Sequence, residues 1–249
     1  MKEDYHKNSS RCLNCGAKVR GHYCHVCGQT VETGRLSIRQ VTVDGVQSIL
    51  RLNRGFLYTV GNLLIHPWKV IADYIHGKRV CYTTPMALLV LLAFFSVLSD
   101  QWFSTEVVKS GNEESDVFLR IMTDAPALVY LLVMLPIIIP LRLVYRRFGA
   151  RKFNTGEYVV AAVYMNCAVM TVDLLISPFN GLMPETVRLA ISLLYIAVMG
   201  PIALLHAFPA GSVLGKTFRI IEFLLLTALT YCLMIIILAI VMAVTALNI

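Results

Sequence analysis

Charged residues are scarce in this chain. They account for 15% of its 249 residues, where a soluble globular domain carries about a quarter, and apolar residues reach 57%. So little charge excludes an ordinary water-soluble domain, because too few polar side chains are available to cover the apolar ones. The composition predicts a membrane protein instead.

Common catalytic motifs are also missing from the later part of the chain. No HExxH, DxxD, GxSxG or paired-histidine pattern occurs after residue 83. Such patterns supply the metal ligands, nucleophiles and bases of many hydrolases. Their absence disfavours an enzyme, so a lipid-modifying enzyme is only the third interpretation of function.

The few charges are distributed unevenly along the chain. Residues 1–83 contain 12 Lys and Arg against 5 Asp and Glu, whereas the remaining residues contain 10 of each kind. The sequence therefore divides into a basic head and a mostly apolar body.

The body contains five stretches that are long and apolar enough to cross a bilayer, which takes about 20 residues of helix. They are, approximately, residues 83–103, 125–145, 158–179, 187–206 and 218–247. The sequence predicts an all-α membrane protein. It has a zinc ribbon at residues 1–34, amphipathic and interfacial helices at 35–82, and five transmembrane helices within 83–249.

The loops predict the orientation of these spans, because short cytoplasmic loops carry an excess of Lys and Arg. The head is basic, and the loop after the second span contains Arg146, Arg147, Arg151 and Lys152. Residues 100–124, in contrast, contain six acidic residues and two basic ones. The amino terminus is therefore predicted in the cytoplasm and the carboxyl terminus outside.

Four cysteines in the head have the spacing of a metal site. Residues 12–28 read CLNCGAKVRGHYCHVCG, so Cys12, Cys15, Cys24 and Cys27 form two CxxC pairs, each followed by glycine. This pattern is typical of a zinc ribbon with four thiolate ligands. Two disulfides or an iron–sulfur cluster are the alternatives, and a reducing cytoplasm disfavours the disulfides.

A zinc site with four cysteine ligands is closed to substrate, so the predicted role of the zinc is structural. The ribbon can bind a cytoplasmic protein partner, cap the membrane domain or order the head. Nucleic-acid binding is disfavoured, because residues 12–28 contain a single tyrosine and no row of aromatic side chains on which bases can stack.

Residues 36–65 place apolar side chains near helical spacing, with arginines outside the apolar stripe. Such a helix can lie on the membrane surface or pack on the cytoplasmic ends of the spans, and both interpretations stay open.

The segment HPWKVIADYIHGKRVCYTTP, residues 66–85, leads into the first span; we call it the elbow. One interpretation is an interfacial connection that only starts this helix. The other is that Lys78, Arg79 and Tyr82, with Tyr74 nearby, hold an anionic lipid headgroup or another phosphate or carboxylate.

The cysteine motif and the elbow together resemble a family of bacterial membrane proteins known as domain of unknown function 3667. The matching positions are Cys12, Asn14, Cys15, Gly16, Tyr23, Cys24, Cys27, Gly28 and Gln29, then Pro67, Tyr74, Ile75, Gly77, Lys78, Arg79, Tyr82 and Pro85. The resemblance implies a multi-pass protein of the bacterial cytoplasmic membrane, and it implies no activity.

Two polar residues lie inside the predicted third span. Asn166 and Asp173 are seven residues apart, on one helix face, and the neighbouring spans contain Pro136, Pro140 and Pro201. A polar strip beside kinked helices favours a transporter or channel built from spans two to four. Alternatively, Asn166 links two helices by a hydrogen bond and Asp173 reaches the outer surface.

The leading interpretation is a non-catalytic inner-membrane protein whose zinc ribbon and elbow bind anionic lipids or a partner protein at the cytoplasmic face. The transporter is the second interpretation.

Overall fold

The computed structural model describes residues 11–31, 35–42, 55–103, 136–145, 153–179, 181–207 and 213–247. Residues 11–31 form turns with two isolated β-bridges, the other described ranges are mainly helical, and none of them contains a β-strand. A helical turn at residues 38–42 precedes seven helices. They are α1 (Gly55–Ile65), α2 (Pro67–Ile75), α3 (Pro85–Phe103), α4 (Pro136–Tyr145), α5 (Thr155–Ile176), α6 (Glu185–Ala207) and α7 (Val213–Leu247).

Four helices, α3, α5, α6 and α7, are long and apolar enough to cross a membrane. They correspond to the predicted first, third, fourth and fifth spans. The predicted second span is covered only by α4, a shorter apolar helix, since residues 125–135 lie outside the described part of the chain. The five-span count therefore stays a prediction.

Helix α5 begins three residues before its predicted start because a capping box defines its first turn. The side chain of Asn154 accepts the Glu157 backbone N–H at 2.9 Å, and Glu157 Oε2 accepts the Asn154 backbone N–H at 2.8 Å. This reciprocal pair satisfies two N–H groups that a helix start otherwise leaves unpaired. The buried Glu157 also accepts Arg35 at 3.0 Å.

Helices α3 and α5 run in the same direction. The Tyr164 hydroxyl donates to the Thr83 carbonyl, just before α3, and the Ser99 hydroxyl donates to Ser177, just after α5. Helix α6 returns, so that His206 near its end stacks on Trp68 of α2 with ring centroids 5.3 Å apart. The start of α3, the start of α5 and the end of α6 therefore lie at one end of the bundle, beside the elbow.

Helix α1 packs on the spans through one narrow face. Thr59 and Leu63 are fully buried, whereas Leu57 is 79% exposed and Ile65 61%. At the start of α1 the backbone approaches the elbow closely. A Cβ on Gly55 would lie 2.8 Å from the Cys81 carbonyl oxygen, so glycine permits this approach. This face of α1 therefore packs on other parts of the protein, while the two predicted placements of residues 36–65 both stay predictions.

Two prolines interrupt helical hydrogen bonding, and hydroxyl groups of other helices replace the missing donors. Proline has no N–H, so the carbonyl four residues earlier loses its helical partner. For Pro67 that carbonyl is Leu63, and it accepts the Tyr195 hydroxyl of α6 at 2.8 Å. The same geometry recurs in α4.

In α4 the proline is Pro140, and the carbonyl without its helical donor is Pro136. It accepts the Thr230 hydroxyl of α7 at 2.8 Å. Each proline break thus becomes an anchor between two helices, which is how such breaks are tolerated in apolar surroundings.

Candidate metal centre and elbow

Four cysteine sulfurs converge within residues 11–31, which we call the cysteine segment. The sulfurs of Cys12, Cys15, Cys24 and Cys27 all lie within 4.8 Å of one another and can hold a metal ion. Cys12 and Cys27 are 3.6 Å apart, and Cys15 and Cys24 are 3.5 Å apart. A tetrahedral Zn²⁺ with Zn–S distances of about 2.3 Å separates its sulfurs by about 3.8 Å, so the arrangement fits such an ion.

The cysteine segment is built from two turns of matching backbone geometry. The Cys12 N–H donates to the Ala17 carbonyl and the Cys24 N–H to the Gln29 carbonyl, both at 2.8 Å. Gly16 and Gly28 both have φ of 75°, a left-handed conformation that glycine adopts without strain. Ala17 and Gln29 therefore occupy equivalent positions in the two turns.

Backbone groups prepare one of the sulfurs for the charged form. The backbone N–H groups of Cys27 and Val26 lower the pKa of Cys24 to about 6, despite an opposing effect of burial. For Cys15 the effects oppose one another: the Ala17 N–H lowers the pKa, whereas burial and the neighbouring cysteine sulfurs raise it. The raising effects together are larger, and the pKa of Cys15 is about 12. Four thiolates this close together require a cation, because like charges at such distances disfavour ionisation.

Within the elbow, helix α2 has a tightly closed carboxyl-terminal end. The Lys78 N–H donates to the Asp73 carbonyl at 2.9 Å and the Gly77 N–H to the Tyr74 carbonyl at 3.1 Å. Gly77 has φ of 100°, so this is a Schellman motif with glycine at the left-handed position. The turn directs the chain from α2 towards α3.

The predicted headgroup residues come together, but around an acidic side chain. Lys78 Nζ donates to Asp73 Oδ1 at 2.8 Å, and the Tyr82 hydroxyl donates to Asp73 Oδ2 at 2.9 Å. Tyr82 and Tyr74 are buried, and the Arg79 guanidinium lies 5.9 Å from the centre of the Tyr74 ring. The sequence prediction did not include Asp73 in this group.

These contacts raise the pKa values of Lys78 and Tyr82. The hydrogen bond to Asp73 raises the pKa of Lys78, against a smaller lowering effect of burial. Burial, followed by the bond to Asp73, raises the pKa of Tyr82 well above its usual range. Both residues therefore keep their protons at neutral pH and act as donors to one carboxylate.

The far end of the elbow is held by two hydroxyl groups. Thr59 of α1 accepts the Thr83 backbone N–H at 2.9 Å, and Tyr164 of α5 donates to the Thr83 carbonyl at 2.8 Å. Thr59 and Tyr164 are fully buried. The two backbone groups of Thr83 thus connect the elbow to both neighbouring helices.

Comparison with known proteins concerns the same region. Residues 53–97 match the model of a family described as "Protein of unknown function (DUF3667)". We call residues 53–97 the DUF3667 segment, after the family whose model they match. The segment contains α1, the elbow with its helix α2, and most of α3. No curated protein and no solved structure matches the chain.

The cysteine segment lies outside the DUF3667 match but is joined to it by one side chain. Gln29 Nε2 donates to the Gly77 carbonyl at 2.7 Å, and Gln29 Oε1 accepts the Arg79 backbone N–H at 3.2 Å. Gln29 is 4% exposed. Gln29 is a position of the family resemblance, directly after the second CxxCG motif, but nothing in the sequence indicates its partner.

A second connection follows along the chain. Arg35 pairs with the buried Glu157, and the Leu36 carbonyl accepts Asn154 Nδ2 at 2.6 Å. A Cβ on Gly156 would lie 2.7 Å from that same Leu36 oxygen, so glycine permits the close approach. Sequence patterns did not reveal this contact, because its partners are more than 100 residues apart.

The intramembrane polar pair is not joined by a hydrogen bond to each other. Asn166 Nδ2 lies 3.7 Å from the sulfur of Met170, within α5. Asp173 Oδ1 accepts the hydroxyl of Ser192, on α6. Asp173 therefore links α5 to α6, and the contact between Asp173 and Ser192 was not predicted.

Proposed function

We propose that this chain is a non-catalytic protein of the bacterial cytoplasmic membrane, in which a structural zinc ribbon docks on the elbow and the cytoplasmic face binds anionic lipids or a partner protein. The contact between Gln29 and the elbow carries the proposal, because it ties the cysteine segment to the DUF3667 segment. Zinc is the metal that best suits four thiolates at this spacing.

The lipid part of the proposal rests on charge and position. The head has a net positive charge, and the elbow leads directly into a helix long enough to span a membrane. Lys69, Arg39 and Arg20 belong to the same basic head. Each basic residue near an anionic surface contributes about 1 kcal/mol to membrane binding.

The proposed topology has five spans, with the amino terminus inside. Helices α3 and α5 run in the same direction, so the chain passes from one end of the bundle to the other between Phe103 and Phe153. Helix α4 lies in that interval and is apolar. Together with the basic head, this arrangement supports a cytoplasmic cysteine segment.

Two measurements test the proposal. The purified chain should contain about one zinc per molecule, and Cys12→Ser with Cys15→Ser should remove it. Nanodiscs test the lipid part by native mass spectrometry of retained phosphatidylglycerol. Lys78→Ala with Arg79→Ala should reduce that retention several-fold, with Arg188→Ala, at the start of α6, as the control.

Two results would contradict parts of the proposal. Zinc that persists in the double cysteine variant would place the metal elsewhere. Unchanged lipid retention in the Lys78 and Arg79 variant would overturn the headgroup role. It would leave partner binding as the function of this face.

Transport through spans two to four is the second candidate, favoured by the Asp173 carboxylate between α5 and α6. Asp173→Asn removes the charge but keeps an oxygen that can accept Ser192. In proteoliposomes with a potassium gradient and a pH-sensitive dye, a transporter should lose ion flux in this variant. Flux that is absent from the unaltered protein, or equal in both, opposes ion transport.

A further inference from the structure

Gln29 belongs to two structures at once. Its backbone carbonyl accepts the Cys24 N–H and so closes the turn that presents Cys24 and Cys27. Its side chain, buried at 4% exposure, bonds the elbow on both sides of Lys78. Any change in the cysteine turn therefore moves the group that holds the elbow.

We infer that metal binding at the four cysteines and docking of Gln29 on the elbow are thermodynamically coupled, so that the cysteine segment is a metal-dependent clamp on residues 77–79. The inference rests on the metal site of the proposed function and not on its lipid or partner binding. Metal stabilises the turn, and the turn places the Gln29 amide.

The dependence on metal follows from the size of the cysteine segment. Such a small segment has almost no apolar core, and small metal-binding folds derive their stability from the ion. In the described part of the segment, only Cys12, Cys24 and Gln29 are buried. Without metal the turn around Cys24 loses its main constraint, and Gln29 loses its fixed position.

The two matching turns indicate which substitution is tolerated. Ala17 occupies the position in the first turn that Gln29 occupies in the second, with the same hydrogen bond to the first cysteine of its pair. Alanine is therefore compatible with this backbone. Gln29→Ala should leave the turn folded and remove only the contact with the elbow.

Coupling between two sites is reciprocal, which makes the inference quantitative. If metal strengthens the docking by some factor, docking must strengthen metal binding by the same factor. Such couplings typically amount to about 5- to 150-fold. Gln29→Ala should therefore weaken zinc affinity within that range, measured by competition with a chromophoric chelator.

Amide exchange in the elbow measures the converse effect, that of the metal on the docking of Gln29. The Arg79 N–H donates to Gln29, so hydrogen–deuterium exchange of a peptide covering residues 76–82 follows the docking. In intact protein in phosphatidylcholine nanodiscs, removal of zinc should accelerate this exchange. Gln29→Ala should accelerate it with zinc still bound, and chelation should then add little.

Two further variants serve as controls. His25→Ala alters an exposed residue of the same turn and should change neither zinc affinity nor elbow exchange. Gln29→Glu keeps an acceptor for the Arg79 N–H but places a carboxylate against the Gly77 carbonyl. It should weaken zinc binding even if the alanine variant misfolds.

The results separate this inference from the proposed function. Absence of zinc from the unaltered protein would contradict the metal site itself. One zinc per chain, with equal affinity in Gln29→Ala and an elbow that exchanges equally with and without zinc, would overturn only the clamp. Chelation that accelerates exchange equally in both proteins would also overturn it.

Discussion

At the scale of single residues, Asp73 and Glu157 organise the end of the bundle that carries the elbow. Asp73 accepts Lys78 and Tyr82, while Glu157 accepts Arg35 and caps α5. A carboxylate oxygen can accept more than one hydrogen bond, so each of these side chains fixes the positions of several donors. Lys78 and Arg35 are therefore each held by an acidic side chain, and neither pairing was predicted from the sequence.

Tyr82→Phe tests the Asp73 group. The substitution preserves the buried ring but removes one donor from the carboxylate, which should lower stability by about 1–2 kcal/mol. Thermal unfolding of the protein in detergent micelles measures the change. Tyr23→Phe is the control, since Tyr23 is 65% exposed. Equal unfolding temperatures for both variants would show that the Tyr82 bond contributes nothing.

Arg35→Ala tests the buried carboxylate. Glu157 is completely buried, so the loss of Arg35 leaves a charge with fewer partners and should cost about 1–3 kcal/mol. Arg39→Ala, at an exposed position, should cost much less. Adding Glu157→Gln to Arg35→Ala should recover part of the loss, because no charge then stays buried. Failure of that recovery would contradict an electrostatic cause.

At the scale of elements, helices are joined where a hydroxyl group of one helix bonds a carbonyl that a proline leaves without a donor in another. Pro67 and Pro140 each leave one carbonyl without its helical donor, and Tyr195 and Thr230 supply the replacement. The kinks that the sequence associated with a transport route therefore have a packing role in α4. Asp173 acts similarly, as its carboxylate joins α5 to Ser192 of α6.

A double-mutant cycle tests this pairing in α4 and α7. Thr230→Val removes the hydroxyl that donates to the Pro136 carbonyl and should destabilise the protein by about 0.6–1.7 kcal/mol. In a Pro140→Ala background the alanine N–H can bond that carbonyl, so Thr230→Val should cost little. Unfolding in mixed micelles gives the four stabilities. An identical cost in both backgrounds would refute the compensation.

At the scale of the whole molecule, several separate parts of the chain meet at the elbow. The cysteine segment reaches it through Gln29, α1 through Thr59 and α5 through Tyr164. The end of α6 lies alongside, where His206 stacks on Trp68. The DUF3667 segment is thus the place where the cysteine segment and the long apolar helices meet.

Reporter fusions test the orientation of the molecule. Alkaline phosphatase, which is active only outside the cytoplasm, should be active when fused after Ile249 and inactive when fused after Arg151. A reporter active only in the cytoplasm should give the opposite pattern. If phosphatase fused after Arg151 were active instead, the charge asymmetry between the loops would not describe the topology.

The sequence by itself determined the apolar helices and the convergence of the cysteines. Both depend on local information: helix-forming apolar runs of sufficient length, and ligand spacing fixed by two CxxCG turns. It also identified the elbow and placed glycine at its left-handed turn.

Only the tertiary structure decided what the elbow residues contact. Lys78 and Tyr82 meet Asp73, Gln29 meets Gly77 and Arg79, and Arg35 meets Glu157 across more than 100 residues. Such pairs form because burial requires each polar group to find a partner, and the folded chain determines which partner lies within reach. No periodicity or local spacing in the sequence contains that information.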